Sequence, residues 1–165
     1  MTTYTARAIE PAVLKELRET DDAGRPAAPF ADSEGGAPLR CCLRRSEAGE
    51  RIALVSYAPL RRWAAETGAR PGAYDEQGPV FVHADECAGP AAGRYPFARP
   101  GVLRTVRRYS AEGHILGGRL LEIPSAADEA LDAAFAEAFA DPEVALVHVR
   151  AVEYGCFFYE VRRLG

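Results

Sequence analysis

Two short segments of the chain concentrate the side chains best suited to nucleophilic, redox or metal chemistry. The first contains Cys41 and Cys42, and the second, about forty residues later, contains His83 and Cys87. Together they hold three of the four cysteines and one of the three histidines. Thiols and imidazoles react, titrate and bind metals near neutral pH more readily than other side chains. We therefore predict one functional site where the two segments meet.

These residue types allow more than one chemistry at that site. Cys42 can act as a nucleophilic thiolate with His83 as its proton partner. Alternatively, Cys42, His83 and Cys87 can bind zinc or another transition metal, with Cys41 or Asp85 as a fourth ligand. A redox pair of Cys42 and Cys87 is a further alternative. The spacing His-x₃-Cys does not decide between them, and the sequence has no C-x-x-C, H-E-x-x-H, phosphate-loop or dinucleotide motif.

The pattern around the first cysteines predicts a strand over residues 39–45. Side chains alternate across a strand, so Cys41 is expected to face the core. Cys42 is expected on the polar face between Arg40 and Arg44, whose positive charges would lower the pKa of its thiol.

His83 falls near the end of a second predicted strand, over residues 80–84. The segment that follows is rich in glycine and proline and is predicted to be a loop. A histidine where an apolar strand opens into a loop is well placed for chemistry, because functional side chains are often carried by loops on a rigid scaffold.

Arginine and tyrosine side chains supply candidate contacts for a small anionic molecule. Guanidinium groups bind carboxylates and phosphates through paired hydrogen bonds. Arg107 and Tyr109 share a face of a predicted strand, and Tyr57 begins a long predicted loop. The candidate substrate-binding residues are Arg40, Arg44, Tyr57, Arg107 and Tyr109.

The distribution of predicted elements indicates an α+β fold in a single domain of residues 1–165. Many short strands predict a mostly antiparallel sheet. One long helix is predicted over about 125–140 and a short N-terminal helix begins at Pro11, both packed on the sheet.

Composition excludes several classes of function. The net charge of −4 and the pI near 5.5 argue against binding to nucleic acid or to a membrane surface. There is no run of eighteen apolar residues and no hydrophobic leader, so we expect a cytoplasmic protein with reduced or metal-bound cysteines. The last strands could pair across a homodimer. A non-catalytic interaction protein that uses the predicted loops 20–37 and 58–78 is a third alternative.

Several motifs together resemble the domain of unknown function 1203 family of small bacterial proteins. They are Pro38-x-Arg40-x-Cys42-Leu43, Gly49-Glu50, Leu54-x-x-Tyr57-x-Pro59, Tyr74-x-Glu76-x-Gly78-Pro79-Val80-Phe81-Val82-His83, Cys87 and Arg108-Tyr109. The resemblance implies a cytoplasmic single domain with a site at these residues, and it implies no particular activity. Members of that family often carry histidine where this chain has Cys41.

Overall fold

The computed structural model describes residues 3–165 and contains three α-helices and seven β-strands. The helices are α1 (Pro11–Glu19), α2 (Pro59–Thr67) and α3 (Ala127–Phe139). The strands are β1 (Phe30–Ala31), β2 (Arg51–Tyr57), β3 (Gly78–His83), β4 (Leu103–Ser110), β5 (Ile115–Glu122), β6 (Val144–Ala151) and β7 (Phe157–Arg162). No helix among the described residues combines the length and hydrophobicity needed to cross a membrane.

The predicted α+β class with antiparallel pairing is confirmed. The strands form two sheets, a three-stranded sheet of order β1-β2-β3 and a four-stranded sheet of order β5-β4-β6-β7, and every named pairing is antiparallel. The prediction had placed both helices on one sheet. Here α1 contacts β2 of the first sheet, whereas α3 contacts β4 and β6 of the second.

The chain divides into two compact units that interleave along the sequence. Unit 2 comprises Ala8–Ala58 and Gln77–Gly93, and unit 1 comprises Pro59–Glu76 and Arg94–Gly165 together with the residues before Ala8. The three-stranded sheet and α1 belong to unit 2. The four-stranded sheet, α2 and α3 belong to unit 1.

Unit 2 buries one face of a short amphipathic helix against its sheet. Pro11 occupies the first turn of α1, where the missing N–H has no helical partner in any case. Leu14 and Leu17 of α1 are buried, as are Ile52 and Val55 of β2. This packing fixes the end of the sheet at which β3 terminates in His83.

Unit 1 is organised around β6, whose side chains are almost all buried. Phe135 and Leu131 project from the apolar stripe of α3 into this core. Asp132, also buried in α3, accepts hydrogen bonds from Tyr95 Oη and from Nη2 of Arg94, so its charge is paired rather than isolated.

The strand predicted over residues 39–45 is wrong. Only single bridges form at its ends, Pro38 with Arg45 and Leu39 with Phe81, and the residues between them turn. Leu43 has a φ of 56°, a left-handed conformation that no regular strand contains. The alternation of side chains expected there therefore does not exist.

Candidate metal centre

A compact loop over residues 38–45 presents the first two cysteines. The Leu39 N–H donates to Arg44 O at 2.9 Å, and the Leu43 N–H donates to Leu39 O at 3.0 Å. These two hydrogen bonds curl the chain tightly around Cys41 and Cys42. Leu39 is fully buried and anchors the loop to the core.

The loop is fastened to β3, the strand that carries the histidine. The Arg40 N–H donates to Phe81 O at 2.9 Å, and the His83 N–H donates to Cys41 Sγ at 3.2 Å. Because the backbone turns here, Cys41 and Cys42 both approach the histidine, and the prediction that they occupy opposite faces is wrong.

Four side chains converge at this point. Among the described residues, Cys41, Cys42, His83 and Cys87 place one ligand atom each within 4.8 Å of one another. The two Sγ atoms of the adjacent cysteines are 3.9 Å apart. His83 Nδ1 lies 3.4 Å from Cys41 Sγ and 3.8 Å from Cys42 Sγ. Cys41, Cys42 and His83 are buried and Cys87 is half-buried, so the cluster is compatible with a metal ion.

The other ring nitrogen of His83 is held by a carboxylate. His83 Nε2 lies 2.7 Å from Glu50 Oε2, and the Arg44 guanidinium donates to both oxygens of Glu50 at 2.9 Å. The Glu47 N–H donates to Glu50 as well. A carboxylate at Nε2 places the proton there and leaves the Nδ1 lone pair directed at the cysteines.

The electrostatics of the cluster favour one thiolate in the cysteine pair. The Cys41 thiol lowers the pKa of Cys42, and although burial opposes the shift, the Arg44 N–H and the nearby His83 and Arg44 side chains add to it. Cys42 and burial both raise the pKa of Cys41. The Arg44 guanidinium holds the pKa of Glu50 well below its usual range. These pKa shifts thus favour the ionised forms of Cys42 and Glu50, with the Arg44 guanidinium paired to Glu50.

The remaining predicted residues of unit 2 occupy different places. Asp85 is exposed and lies 3.7 Å from Arg51, outside the cluster. Arg40 is buried, and its Nη1 donates to Pro38 O. Tyr57 is buried at the end of β2, opposite Gly78. Arg44, another predicted anion contact in this unit, lies beside the cysteine and histidine cluster, with Nη2 3.3 Å from His83 Nε2.

The predicted pair Arg107 and Tyr109 belongs to unit 1. Both side chains lie on the same face of β4, and Arg107 Nη1 donates to Tyr109 Oη at 3.2 Å. Arg107 also donates to Glu76 at 2.7 Å. These residues form a separate cluster within their own unit.

Sequence reasoning missed the role of Glu50. It stands in the Gly49-Glu50 motif, but nothing in the spacing places it beside His83, because that contact depends on the pairing of β2 with β3. The sequence allows Cys41 either in the core or as a fourth metal ligand. It does not decide between them, because the local pattern indicates a strand and only the hydrogen bonds to β3 show the turn.

The fold and the cluster together define an α+β protein with a buried centre of three cysteines and one histidine. The model of the family described as proteins of unknown function (DUF1203) matches residues 36–163, which include the whole centre. The chain belongs to this family, as its motifs indicated. No curated protein and no solved structure gives a significant match.

Proposed function

We propose that this protein binds zinc through Cys41, Cys42, His83 and Cys87, and that the metal stabilises unit 2. The observation that carries the proposal is the spacing of the ligand atoms. In a tetrahedral site with Zn–S near 2.3 Å and Zn–N near 2.0–2.1 Å, neighbouring ligand atoms are about 3.5–3.8 Å apart. The separations of 3.4, 3.8 and 3.9 Å lie close to that range.

The surroundings of the four residues support the same assignment. Histidine ligands of zinc usually donate their second N–H to a carboxylate, as His83 can to Glu50 at 2.7 Å. The His83 N–H to Cys41 Sγ suits a sulfur carrying negative charge.

Four protein ligands leave no position for a substrate, and this favours a structural site over a catalytic one. The ligands come from three places: the 38–45 loop, the last residue of β3 and the loop after it. A metal bound to all of them would join segments that are distant in sequence. Such a link contributes directly to folding stability, since the unfolded chain cannot preserve the site.

The geometry also supports a second candidate, a catalytic thiol. Cys42 would be the nucleophile, His83 the general base and Glu50 the carboxylate that orients the base. Cys42 Sγ lies 3.8 Å from His83 Nδ1, and Glu50 contacts His83 Nε2. Against this candidate, Cys42 is only 7% exposed, and Cys41 lies closer to the same nitrogen. A substrate would need to reach a buried thiol, whereas a metal ion would not need an open surface.

Metal analysis of the purified protein tests the proposal. We expect about one zinc per chain in protein prepared without chelator. Cys42→Ser should lose the zinc, whereas Cys156→Ser should keep it, because Cys156 belongs to the other unit and lies outside the cluster. Cobalt substituted for zinc should give thiolate-to-metal absorption and the strong visible bands of tetrahedral Co²⁺.

Equal zinc content in the Cys42→Ser and Cys156→Ser proteins would overturn the assignment, as would failure of the wild-type protein to retain zinc supplied in excess. Alkylation distinguishes the second candidate. Bound zinc should protect Cys41, Cys42 and Cys87 and leave Cys156 reactive, whereas a catalytic thiol should make Cys42 in metal-free protein the fastest to react.

A further inference from the structure

A second cluster, wholly within unit 1, is built from basic side chains on one face of the four-stranded sheet. Arg107 on β4 pairs directly with His148 on β6, and Arg150 follows two residues later on the same face. Their guanidinium groups approach the same atom, Glu76 Oε1, at 2.7 Å from Arg107 Nη1 and 3.3 Å from Arg150 Nη1. The Tyr109 hydroxyl completes the group beside Arg107.

One carboxylate does not fully satisfy this cluster. Arg150 Nη1 is buried and has no hydrogen-bond partner among the described residues, although Arg150 Nε donates to Gly155 O. The next acid on this face, Glu160, lies beside His148 at 3.5 Å and is bonded to Arg162. Two guanidinium groups therefore share one negative charge, and the buried Arg150 Nη1 is ion-paired with Glu76 Oε1 without a well-directed hydrogen bond to it.

Glu76 differs from its partners in how it is held. It lies in the segment between the short 3₁₀ turn Gly72–Tyr74 and β3, outside any helix or strand. Its side chain is 48% exposed, whereas that of Arg150 is only 11% exposed. The two cations thus lie on strands of the sheet, whereas the anion comes from a segment outside the sheet and its side chain faces solvent.

We propose that Arg107 and Arg150 form a binding site for a small organic carboxylate, with the buried Tyr109 hydroxyl holding the Arg107 guanidinium in place, and that the Glu76 carboxylate occupies the site when no ligand is bound. The incoming carboxylate would take the place of Glu76 between the two guanidinium groups. It would also supply an acceptor for Arg150 Nη1. Arginine is suited to this task because its planar, permanently charged group binds carboxylates through paired hydrogen bonds.

An internal carboxylate competes with any external one, because it is tethered and so present at a high effective concentration. Removing its charge should therefore reveal the site. We expect zinc-loaded Glu76→Gln to bind malonate saturably by calorimetry, at least about tenfold more tightly than the wild-type protein. Adding Arg150→Gln to that variant should abolish the binding.

Glu137→Gln is the matched control. It removes a carboxylate from a single exposed arginine, Arg119, at 2.6 Å and in the same unit. This variant should bind malonate no better than the wild-type protein, because one exposed guanidinium does not form a site.

Malonate affinity of Glu76→Gln no greater than that of Glu137→Gln would overturn the proposal. Inorganic phosphate binding as tightly as malonate would overturn the assignment to carboxylates. If Glu76→Gln does not fold, NMR of the wild-type protein decides. Malonate should then shift the side-chain Nε–H signals of Arg107 and Arg150 but not that of Arg119, and an equal response of all three would refute the site.

Discussion

Glu50 determines what His83 can do. Its carboxylate bonds Nε2, and Arg44 holds that carboxylate through two hydrogen bonds. The imidazole is thereby fixed in orientation and in the position of its proton, with Nδ1 facing the sulfurs of Cys41 and Cys42. None of these contacts adds a ligand, so under the proposed zinc site they should affect the strength of metal binding and not the coordination number.

Glu50→Gln should weaken zinc binding by about 10- to 100-fold while leaving the stoichiometry unchanged. The neutral amide can still accept the histidine N–H, but it polarises the imidazole less than a carboxylate does. Competition with a chromophoric chelator measures the affinity. Glu47→Gln serves as the control, because Glu47 is bonded to Glu50 through its backbone N–H and carbonyl, which the substitution keeps. Equal affinities in the two variants would show that Glu50 does not support the metal ligand.

At the scale of elements, the loop that carries Cys41 and Cys42 depends on contacts between the chain segments at its two ends. Ser46 Oγ donates to Asp32 Oδ2 at 2.6 Å, and the Gly36 N–H donates to Ser46 O at 2.8 Å. Gly35 packs so closely here that a Cβ added to it would lie 2.8 Å from Ala48 N. The two chain segments that lead into the loop are thus joined backbone to backbone.

Gly35→Ala should destabilise the protein more than Gly36→Ala, by about 1–3 kcal/mol in the free energy of unfolding. Both glycines have a positive φ, 78° and 87°, so both substitutions share the conformational cost of a left-handed alanine. Only at Gly35 must the backbone also move, since a Cβ at Gly36 meets nothing within 4 Å. Denaturant unfolding of both variants measures the difference. Equal losses of unfolding free energy would show that the close approach of Gly35 to Ala48 does not affect stability.

The sequence predicted most elements because their patterns are local. The apolar stripe of α3 and the short apolar run of β3 are visible in neighbouring residues, and both elements form close to where they are predicted. The 39–45 segment carries an alternating pattern, Leu39-x-Cys41-x-Leu43, but its backbone turns, and the Arg40 N–H donates to β3. Strand β3 is about forty residues away in the sequence, so no local pattern indicates this contact. The site residues were found by their chemistry, whereas their geometry required the tertiary pairing.

At the scale of the whole molecule, the metal should stabilise one unit more than the other. All four proposed ligands lie in unit 2, within Ala8–Ala58 and Gln77–Gly93. The free energy of metal binding would add to the stability of the segments that the metal joins. Local stability therefore need not change equally along the chain.

Removal of zinc by a strong chelator should accelerate hydrogen exchange in unit 2 first. The amides of Arg40, Leu43 and His83 should lose the most protection, because their hydrogen bonds hold the cysteine loop. Amides of β4 and β6 in unit 1 should change least. Mass spectrometry of peptides from chelated and zinc-loaded protein measures both, and Cys42→Ser should show no further change on chelation. Equal loss of hydrogen-exchange protection in the two units would contradict a stabilising effect of zinc confined to unit 2.

The interleaving of the two units has a consequence for synthesis on the ribosome. Translation proceeds from the N-terminus, and every residue of unit 2 has been made once Gly93 is added, whereas unit 1 still lacks Arg94–Gly165. The segments that carry the cysteine and histidine cluster therefore leave the exit tunnel before all four strands of the second sheet, β4, β5, β6 and β7. The segment Pro59–Glu76 also belongs to unit 1, so it can pack into that unit only after Arg94–Gly165 has been synthesised. The order of the chain thus makes unit 2, which holds the proposed metal ligands, the first unit that can fold.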